Sequence, residues 1–174
     1  MKVMMPEDQK VNSYRFLDGL SRRMIRSWIS LEKPRDTPWT PLDKPLNRCT
    51  VALISSAGMA LKTDKPFDQE IERQNPWFSD PSFRVIPPGT TAQDILVYHL
   101  HVNPVFIQQD INCALPVQRL VELEASGEIG RVAPSHYSFM GYTCQPERLL
   151  DESVPAIISK LREEAVDVVV LVPI

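Results

Sequence analysis

The sequence lacks the features that mark membrane and secreted proteins. No run of apolar residues approaches the roughly 18 that a membrane helix needs. The opening segment MKVMMPEDQK has no apolar core of the kind that a signal peptide carries. We therefore expect a cytoplasmic protein that does not bind a membrane.

Cysteine is scarce, and positive charge is not in excess. The three cysteines, Cys49, Cys113 and Cys144, form no CxxC pair, and their number is odd, so we expect no disulfide scaffold. Cys113 lies in the apolar run INCALP, which predicts a small buried residue, whereas Cys144 lies in a polar loop and is a weak redox candidate. The formal net charge of −3 argues against nucleic acid as a partner.

The common nucleotide-binding fingerprints are also missing. The chain contains neither GxGxxG nor GxxxxGK(S/T), so we expect no nucleotide and no other resident cofactor. The small-residue turn SSAGM, which includes Ser56 and Gly58, follows an apolar strand. Its backbone amides can cradle a carboxylate or a phosphate, and a purely structural turn is the alternative.

Proline, by contrast, is abundant, with 16 residues in 174 against an average near 5%. The segment KPRDTPWTPLDKPL is too rich in proline for a regular helix or a central strand. We interpret it as an extended arm that follows an N-terminal helix with apolar residues at helical spacing. The expected organisation is a helix and linker over residues 1–36 and an α/β domain over residues 37–174.

Strand and helix patterns alternate in this main domain. Apolar runs rich in β-branched residues predict parallel neighbouring strands over residues 50–54, 95–100 and 168–172, with most of their apolar side chains buried. The last of these strands reads as buried on both faces. A long irregular stretch is expected over residues 60–92.

Two helices complete the pattern of the main domain. The segment LPVQRLVELEASGEIG predicts a helix with Pro116 in its first turn, a shared face for Val117, Leu120 and Val121, and Gly127 at its end. The segment ERLLDESVPAIISKLREEAVD predicts one helix or two helical pieces, with Ser153 as a cap. Together the elements predict an α/β fold, a Rossmann-like three-layer domain with a mostly parallel sheet.

Two histidines form the first candidate site. In YHLHVNP, His99 and His101 are two residues apart, a spacing that puts both on one face of a strand. They could share a metal ion or bind an anion together. A metal site needs a third ligand, for which Asp110 and His136 are candidates, although no spacing requires either, and we expect no metal. The alternative is that both histidines are polar residues at a sheet edge whose hydrogen bonds are satisfied there.

Two further segments carry polar groups. Asp110 and Asn112 lie in QQDIN, where Asp110 could orient a histidine or cap a turn, the more common role. His136 lies in PSHYSFMGYT, which we expect to be a loop. Because ligands bind beyond the carboxyl ends of parallel strands, we expect the turn at residues 55–58, His99 and the His136 loop to converge on one cleft.

Seven blocks of the sequence, taken in order, carry a family resemblance: TPWTPLDKPL, TVALISSAGM, SDPSFRVIPPGT, HLHVN, DINCALPVQRL, GEIGRVAPSHYSFMGY and VDVVVLVP. They resemble the selenoprotein B family of the glycine, sarcosine, betaine and D-proline reductases from about Thr37 onward. The resemblance implies an α/β protein with reductive chemistry on a small amine or amino-acid derivative. It also implies a selenocysteine or cysteine nucleophile, in a U/C-x-x-C motif directly after a strand like VDVVVLVP, which a nearby thiol releases.

The sequence departs from this pattern at its last residue. It ends at Ile174, where the family would next show the nucleophile, and Cys113 falls where the family usually has an apolar residue. The catalytic residue therefore stays unassigned. A stop at a selenocysteine codon is one expectation, with a cropped chain or a short paralogue as alternatives. The positions expected to face the substrate are Ser56, Gly58, His99, His101, Asp110, Asn112 and His136.

Two functions from different classes fit these observations. The first is a reductase subunit that works with a thiol reductant or a partner reductase subunit. The second is a non-catalytic small-molecule-binding or partner subunit that lacks the redox centre, and a metal-dependent hydrolase built on His99 and His101 is a distant third. Because an apolar terminal strand without covering elements would expose an apolar patch, we expect a homo-oligomer or a hetero-complex.

Overall fold

The structure is a computed structural model that describes residues 18–31, 40–75, 79–143 and 145–174. The chain forms two compact units, Met1–Pro41 and Leu42–Ile174. In the first unit, helix α1 (Gly19–Leu31) begins after Asp18, whose carboxylate accepts hydrogen bonds from the backbone N–H groups of Leu20 and Ser21. The N-terminal helix is confirmed over this range. Its expected first residues and part of the proline-rich arm, residues 32–39, lie outside the described residues.

The second unit is built on a mostly parallel sheet with β1 (Thr50–Ser55) at its centre. One edge of β1 pairs over five residues with β7 (Val168–Val172). The other edge pairs first with β5 (Arg131–Val132) and then with β6 (His136–Phe139), and all three neighbours run parallel to β1. An antiparallel strand, β3 (Phe83–Ile86), extends the sheet beyond β6.

Helices cover both faces of this sheet. Val51 and Leu53 of β1 belong to a buried apolar cluster that also contains residues of α3 (Pro104–Gln109) and α4 (Val117–Ala125). On the opposite face, Ile54 borders an apolar cavity that is closed by α5 (Val154–Glu163). Side chains of β1 alternate between the two faces, so one central strand anchors both helical layers. The predicted α/β class is confirmed.

The expected strand at residues 95–100 is shorter and lies elsewhere. β4 (Ile95–Val97) pairs antiparallel with β2 (Met59–Leu61) in a separate two-stranded sheet. The prediction that it joins β1 and β7 as a parallel neighbour is therefore wrong. Within β4, Ile95 is buried and Leu96 is exposed, a half-buried alternation that suits a two-stranded ribbon better than a central parallel strand.

The stretch at residues 60–92, expected to be irregular, contains regular structure. It holds α2 (Gln69–Gln74), β3 and a 3-10 helix, Ala92–Asp94. The carboxylate of Asp68 begins α2 by accepting hydrogen bonds from the N–H groups of Glu70 and Ile71. These elements are six, four and three residues long, and periodicity carries little signal over such short segments.

Strand β7 is only partly buried. Its parallel pairing with β1 is confirmed. The expectation of burial on both faces is wrong, since Val170 is 41% and Leu171 is 70% exposed. The physical reason is that, within the described part of the chain, β1 is the only strand that pairs with β7.

Three local expectations also need correction. His136 lies in β6 and not in a loop. Cys113 ends a 3-10 helix, Ile111–Cys113, with its side chain exposed and not buried. Ser153 caps no helix, because its hydroxyl donates to the carbonyl of Pro81 at 2.6 Å, and a π-helix, Leu149–Ser153, precedes α5.

The helix of residues 116–127 is confirmed as α4, with one face residue misassigned. Pro116 directly precedes the helix, and Gly127 follows its end with a φ of 75°. Val117 and Leu120 are buried as expected, whereas Val121 is exposed. Among the described residues, no helix is both long and apolar enough to cross a membrane.

Candidate functional site at the carboxyl ends of the strands

Ser56 ties together the carboxyl ends of β1 and β7. Its backbone N–H donates to the carbonyl of Val172 at 3.2 Å, and its hydroxyl oxygen accepts from the N–H of Ile174 at 2.8 Å. Ser56 also borders a small, largely apolar cavity of about 250 Å³, together with Ile54, Phe139, Leu171, Val172 and Pro173. The Ser56 hydroxyl thus lies at the edge of an apolar cavity at the carboxyl ends of the strands.

Gly58 brings the turn against two other segments. Its N–H donates to the carbonyl of Phe139 at 2.9 Å, and its carbonyl accepts from the N–H of Tyr98 at 2.8 Å. Its φ of 61° favours glycine, and an added Cβ would lie 2.5 Å from Met140 Sδ and 3.2 Å from the backbone nitrogen of His99. Only a residue without a side chain fits so close an approach. The turn, His99 and the segment after β6 therefore meet at one point.

His99 and His101 lie just after β4, in a turn, yet their rings are close. The ring centroids are 5.9 Å apart, and His99 Nδ1 accepts a hydrogen bond from the N–H of His101 at 3.2 Å. His99 is buried, and this burial, with a smaller contribution from His101, lowers its pKa. The His101 side chain is half exposed and packs against the ring of Tyr142, with centroids 4.3 Å apart. The two imidazoles thus present a buried inner ring and an accessible outer ring.

Glu72, a residue of α2, lies next to His101. The sequence patterns did not identify it as a site residue. Glu72 is 3% exposed, and its Oε1 lies 3.7 Å from His101 Nε2. Neither carboxylate oxygen has a hydrogen-bond partner among the described residues. Burial raises the pKa of Glu72, and the neighbouring His101 and Arg73 oppose that rise. The sequence signal that could have found it is the cap at Asp68, which begins a helix where we expected none.

The side chains of Asp110 and Asn112 make their hydrogen bonds within residues 110–118. Asp110 Oδ1 accepts from the backbone N–H and the side-chain amide of Asn112, at 2.9 and 2.7 Å, and that amide also donates to Gln118 Oε1 at 2.8 Å. These contacts, the backbone one first, lower the pKa of Asp110. Asp110 caps the 3-10 helix that follows. The structure therefore gives this pair a local structural role.

His136 is fully buried within the sheet. Its Nδ1 accepts a hydrogen bond from the backbone N–H of Leu53 at 3.0 Å, and burial lowers its pKa to about 4. It is held by β1 and not by the turn at residues 56–58. Nowhere in the described ranges do three His, Cys, Asp or Glu side chains group closely enough to hold a metal ion. Neither His136 nor Asp110 therefore completes a metal site with His99 and His101.

A larger groove of about 540 Å³ lies away from the strand ends, between α2, β3 and the π-helix. Most of its charged side chains already have partners. Arg148 pairs with Glu152 at 3.0 Å, and Arg84 donates to the carbonyls of Lys65 and Pro66. We therefore place the candidate site at the strand ends, where Ser56 borders the small apolar cavity and Gly58 contacts His99.

Polar groups thus lie at the carboxyl ends of parallel strands, the place where α/β proteins commonly bind their ligands. The family model for glycine/sarcosine/betaine reductase selenoprotein B matches residues 29–173. The chain therefore belongs to this family, and the predicted resemblance is confirmed.

Two curated proteins show how the chain relates to complete family members. The D-proline reductase subunit gamma of Acetoanaerobium sticklandii is 36% identical over 133 residues, which cover 76% of this chain and 52% of that protein. The glycine reductase complex component B subunit gamma of Carboxydothermus hydrogenoformans is 28% identical over 134 residues, 77% of this chain and 30% of that protein. The chain thus spans about half or less of the length of these relatives. No solved structure matches it.

Proposed function

We propose that the chain is the substrate-binding part of a reductase of the selenoprotein B type, acting on a small amine or amino-acid derivative. The family membership supports the reductase class, and the observation that carries the site is the close approach of Gly58 to His99 and Met140. This contact joins three segments distant in sequence at the carboxyl ends of the sheet. In this proposal the unit is a Rossmann-like three-layer domain of a cytoplasmic protein.

Each residue of the site would have a distinct role. His101, half exposed and backed by the buried carboxylate of Glu72, would donate a hydrogen bond to the carboxylate of an amino-acid ligand. His99, with its lowered pKa, would stay neutral and offer a hydrogen bond. Ser56 and the apolar cavity beside it would hold the small aliphatic part of the ligand. The contribution of Asp110, Asn112 and His136 to ligand binding stays a prediction.

None of the described residues supplies a redox group at this site. Cys49 is buried before the amino end of β1, and Cys113 is exposed at the end of the 3-10 helix. Cys144, the predicted redox candidate, lies outside the described residues. We propose that a selenol or thiol from outside the described residues completes the centre, with a thiol reductant or a partner reductase subunit. The curated relatives are named as subunits, one of them of a glycine reductase complex, which supports a hetero-complex.

Calorimetric titration with glycine, sarcosine, betaine and D-proline tests the binding role. We expect at least one of them to bind, and His101→Ala and His99→Ala each to weaken that binding by about 10-fold or more, as expected for a lost hydrogen bond to a charged group. Ser159→Ala is the control, because Ser159 is exposed on α5 and its hydroxyl donates within that helix, to Glu163. Equal affinities in all four proteins would place the site elsewhere.

The second candidate is a binding subunit without catalysis. Ligand consumption separates the two functions. The reductase proposal expects turnover when a dithiol and the complementary family polypeptide are added to the chain. Binding without turnover in that mixture would favour the non-catalytic subunit.

A further inference from the structure

Glu72 lies at a position where the burial of its carboxyl group costs free energy. The residue is 3% exposed, and neither carboxylate oxygen has a hydrogen-bond partner among the described residues. A buried carboxyl group without hydrogen bonds destabilises a folded protein, and an apolar side chain of similar length would stabilise the same position better. The stability of the fold therefore does not explain why a carboxyl group lies here.

The side chain that Glu72 meets is the imidazole of His101. Glu72 Oε1 lies 3.7 Å from His101 Nε2, which is longer than a hydrogen bond and within the range of an ion pair. Burial raises the pKa of Glu72, and two charged neighbours, His101 first and then Arg73, oppose that rise. The side chain of His101 is itself half exposed. The pair therefore connects a buried carboxyl group to a ring that a ligand can reach.

Three contacts determine the place of the His101 ring. Its Nε2 faces Glu72, and the ring packs against Tyr142 with centroids 4.3 Å apart. The backbone N–H of His101 donates to His99 Nδ1 at 3.2 Å, and the two imidazole centroids are 5.9 Å apart. Because Nε2 is turned toward Glu72, Nδ1 is the ring nitrogen of His101 that remains for a ligand.

We propose that Glu72 is a positioning residue whose carboxyl group shares one proton with His101 Nε2, so that His101 Nδ1 is the hydrogen-bond donor to the ligand. This inference rests on the proposed function for the role of His101 toward a ligand. A neutral imidazole carries a proton on one nitrogen only. A ring that donates from Nδ1 therefore either accepts a hydrogen bond at Nε2 or carries a second proton there. In both cases one proton lies in the contact between Oε1 and Nε2.

The pair holds the same number of protons in both arrangements. Either a protonated Glu72 donates to Nε2, or an ionised Glu72 accepts from a protonated ring, and the proton moves only between Oε1 and Nε2. Both arrangements leave the pair without net charge, which avoids an isolated charge at a buried position. An approach of the two atoms by about 0.7 Å completes the hydrogen bond. When the pair loses the shared proton, the remaining proton of the ring faces the carboxylate from Nε2, and Nδ1 can no longer donate.

Nitrogen-15 NMR of the free protein tests the shared proton without any ligand. At pH 6 we expect Nδ1 of His101 to carry a proton in the unaltered protein. Glu72→Met removes the partner of Nε2, and we expect the chemical shifts of both ring nitrogens to change. Glu70→Met is the matched control, because it makes the same substitution on α2 at a side chain that is 70% exposed. An Nδ1 without a proton in the unaltered protein, or ring shifts that Glu72→Met leaves unchanged, would overturn the proposal.

Ligand affinity and stability, measured together, separate positioning from a structural role. The ligand from the calorimetric panel should bind to Glu72→Met about 10-fold more weakly, as expected for a lost hydrogen bond to a charged group. Glu72→Gln should recover most of this loss, because its amide can donate to Nε2. The urea midpoint of Glu72→Met should be at least as high as that of the unaltered protein, since the substitution removes a buried polar group.

The outcomes also distinguish this inference from the proposed function. If no ligand of the panel binds, the proposed function fails, and the nitrogen-15 spectra still decide whether the pair shares a proton. If His101→Ala weakens binding while Glu72→Met binds as tightly as Glu70→Met, the proposed function stands and the positioning role of Glu72 is wrong. A loss of stability and affinity together in Glu72→Met, with Glu72→Gln equally impaired, would show a structural role and overturn the proposal.

Discussion

The imidazole Nδ1 of His136 accepts a hydrogen bond from the backbone N–H of Leu53 at 3.0 Å. This bond lies between the two places where β1 pairs with β5 and with β6, so a ring nitrogen stands in for a main-chain acceptor. A ring nitrogen accepts a hydrogen bond only when it carries no proton. The sheet therefore depends on a neutral His136.

The first prediction concerns acid sensitivity. Burial lowers the pKa of His136 from 6.5 to about 4, so between these values the unfolded chain binds a proton that the folded chain does not. His136 should therefore make the free energy of unfolding fall as pH decreases through this window, by up to about 1.4 kcal/mol per pH unit. Urea unfolding of the unaltered protein and His136→Asn, from pH 4.5 to 7.5, measures it. Parallel pH profiles for the two proteins would contradict the assignment.

The second prediction concerns the same hydrogen bond at neutral pH. His136→Leu leaves the N–H of Leu53 buried without an acceptor, whereas His136→Asn keeps an oxygen near the position of Nδ1. We expect the leucine variant to be less stable than the asparagine variant by about 1–3 kcal/mol, the usual cost of an unsatisfied buried donor. Chemical denaturation at pH 7 provides the comparison. Equal stability would show that the bond contributes little.

The third prediction concerns the close approach at Gly58. Gly58→Ala adds a Cβ at a φ of 61°, 3.2 Å from the backbone nitrogen of His99, and we expect a loss of about 1–3 kcal/mol. Gly89→Ala is the control, since an added Cβ there meets nothing within 4 Å. Thermal unfolding of both variants tests this. A Gly58→Ala protein as stable as the control would mean that the turn does not hold His99 in place.

The fourth prediction concerns the hydroxyl that links the two sheets. Ser138 of β6 is buried, and its Oγ accepts from the backbone N–H of Met59 in β2 at 2.8 Å. Ser138→Ala should cost about 1–3 kcal/mol, because it leaves that N–H without an acceptor. Ser159→Ala, at an exposed position of α5, should change stability by less than about 0.5 kcal/mol. Denaturant midpoints of the two variants provide the measurement.

Local sequence patterns predicted the elements of the fold better than their pairing. The β-branched runs gave β1 and β7, and Gly127 marked the end of α4. The partner of β4 was predicted wrongly because strand pairing depends on residues distant in sequence. β4 pairs with β2, and beside this pair the carbonyl of Gly58 accepts a hydrogen bond from the N–H of Tyr98. The expected burial of β7 on both faces was wrong because the burial of a strand depends on the strands that pair with it, and among the described residues only β1 pairs with β7.

The candidate site could be predicted only in part, because it also combines residues from segments that are distant in sequence. The spacing of His99 and His101 predicted two adjacent imidazoles, and the rings are adjacent, although a turn and not a strand brings them together. Glu72 was missed because it belongs to a six-residue helix whose hydrophobic pattern is too short to detect. His136 was assigned to the site from its polar neighbours, whereas its observed contact lies in the sheet.

Amide chemical-shift mapping by NMR tests the central claim, that the small-molecule site lies at the carboxyl ends of β1, β6 and β7. The isotope-labelled chain would be titrated with the best ligand from the calorimetric panel. The largest saturable shifts should fall on Ser56, Gly58, His99, His101 and Tyr142. Shifts confined to residues 110–118, or to the groove around Arg84 and Glu152, would contradict the claim.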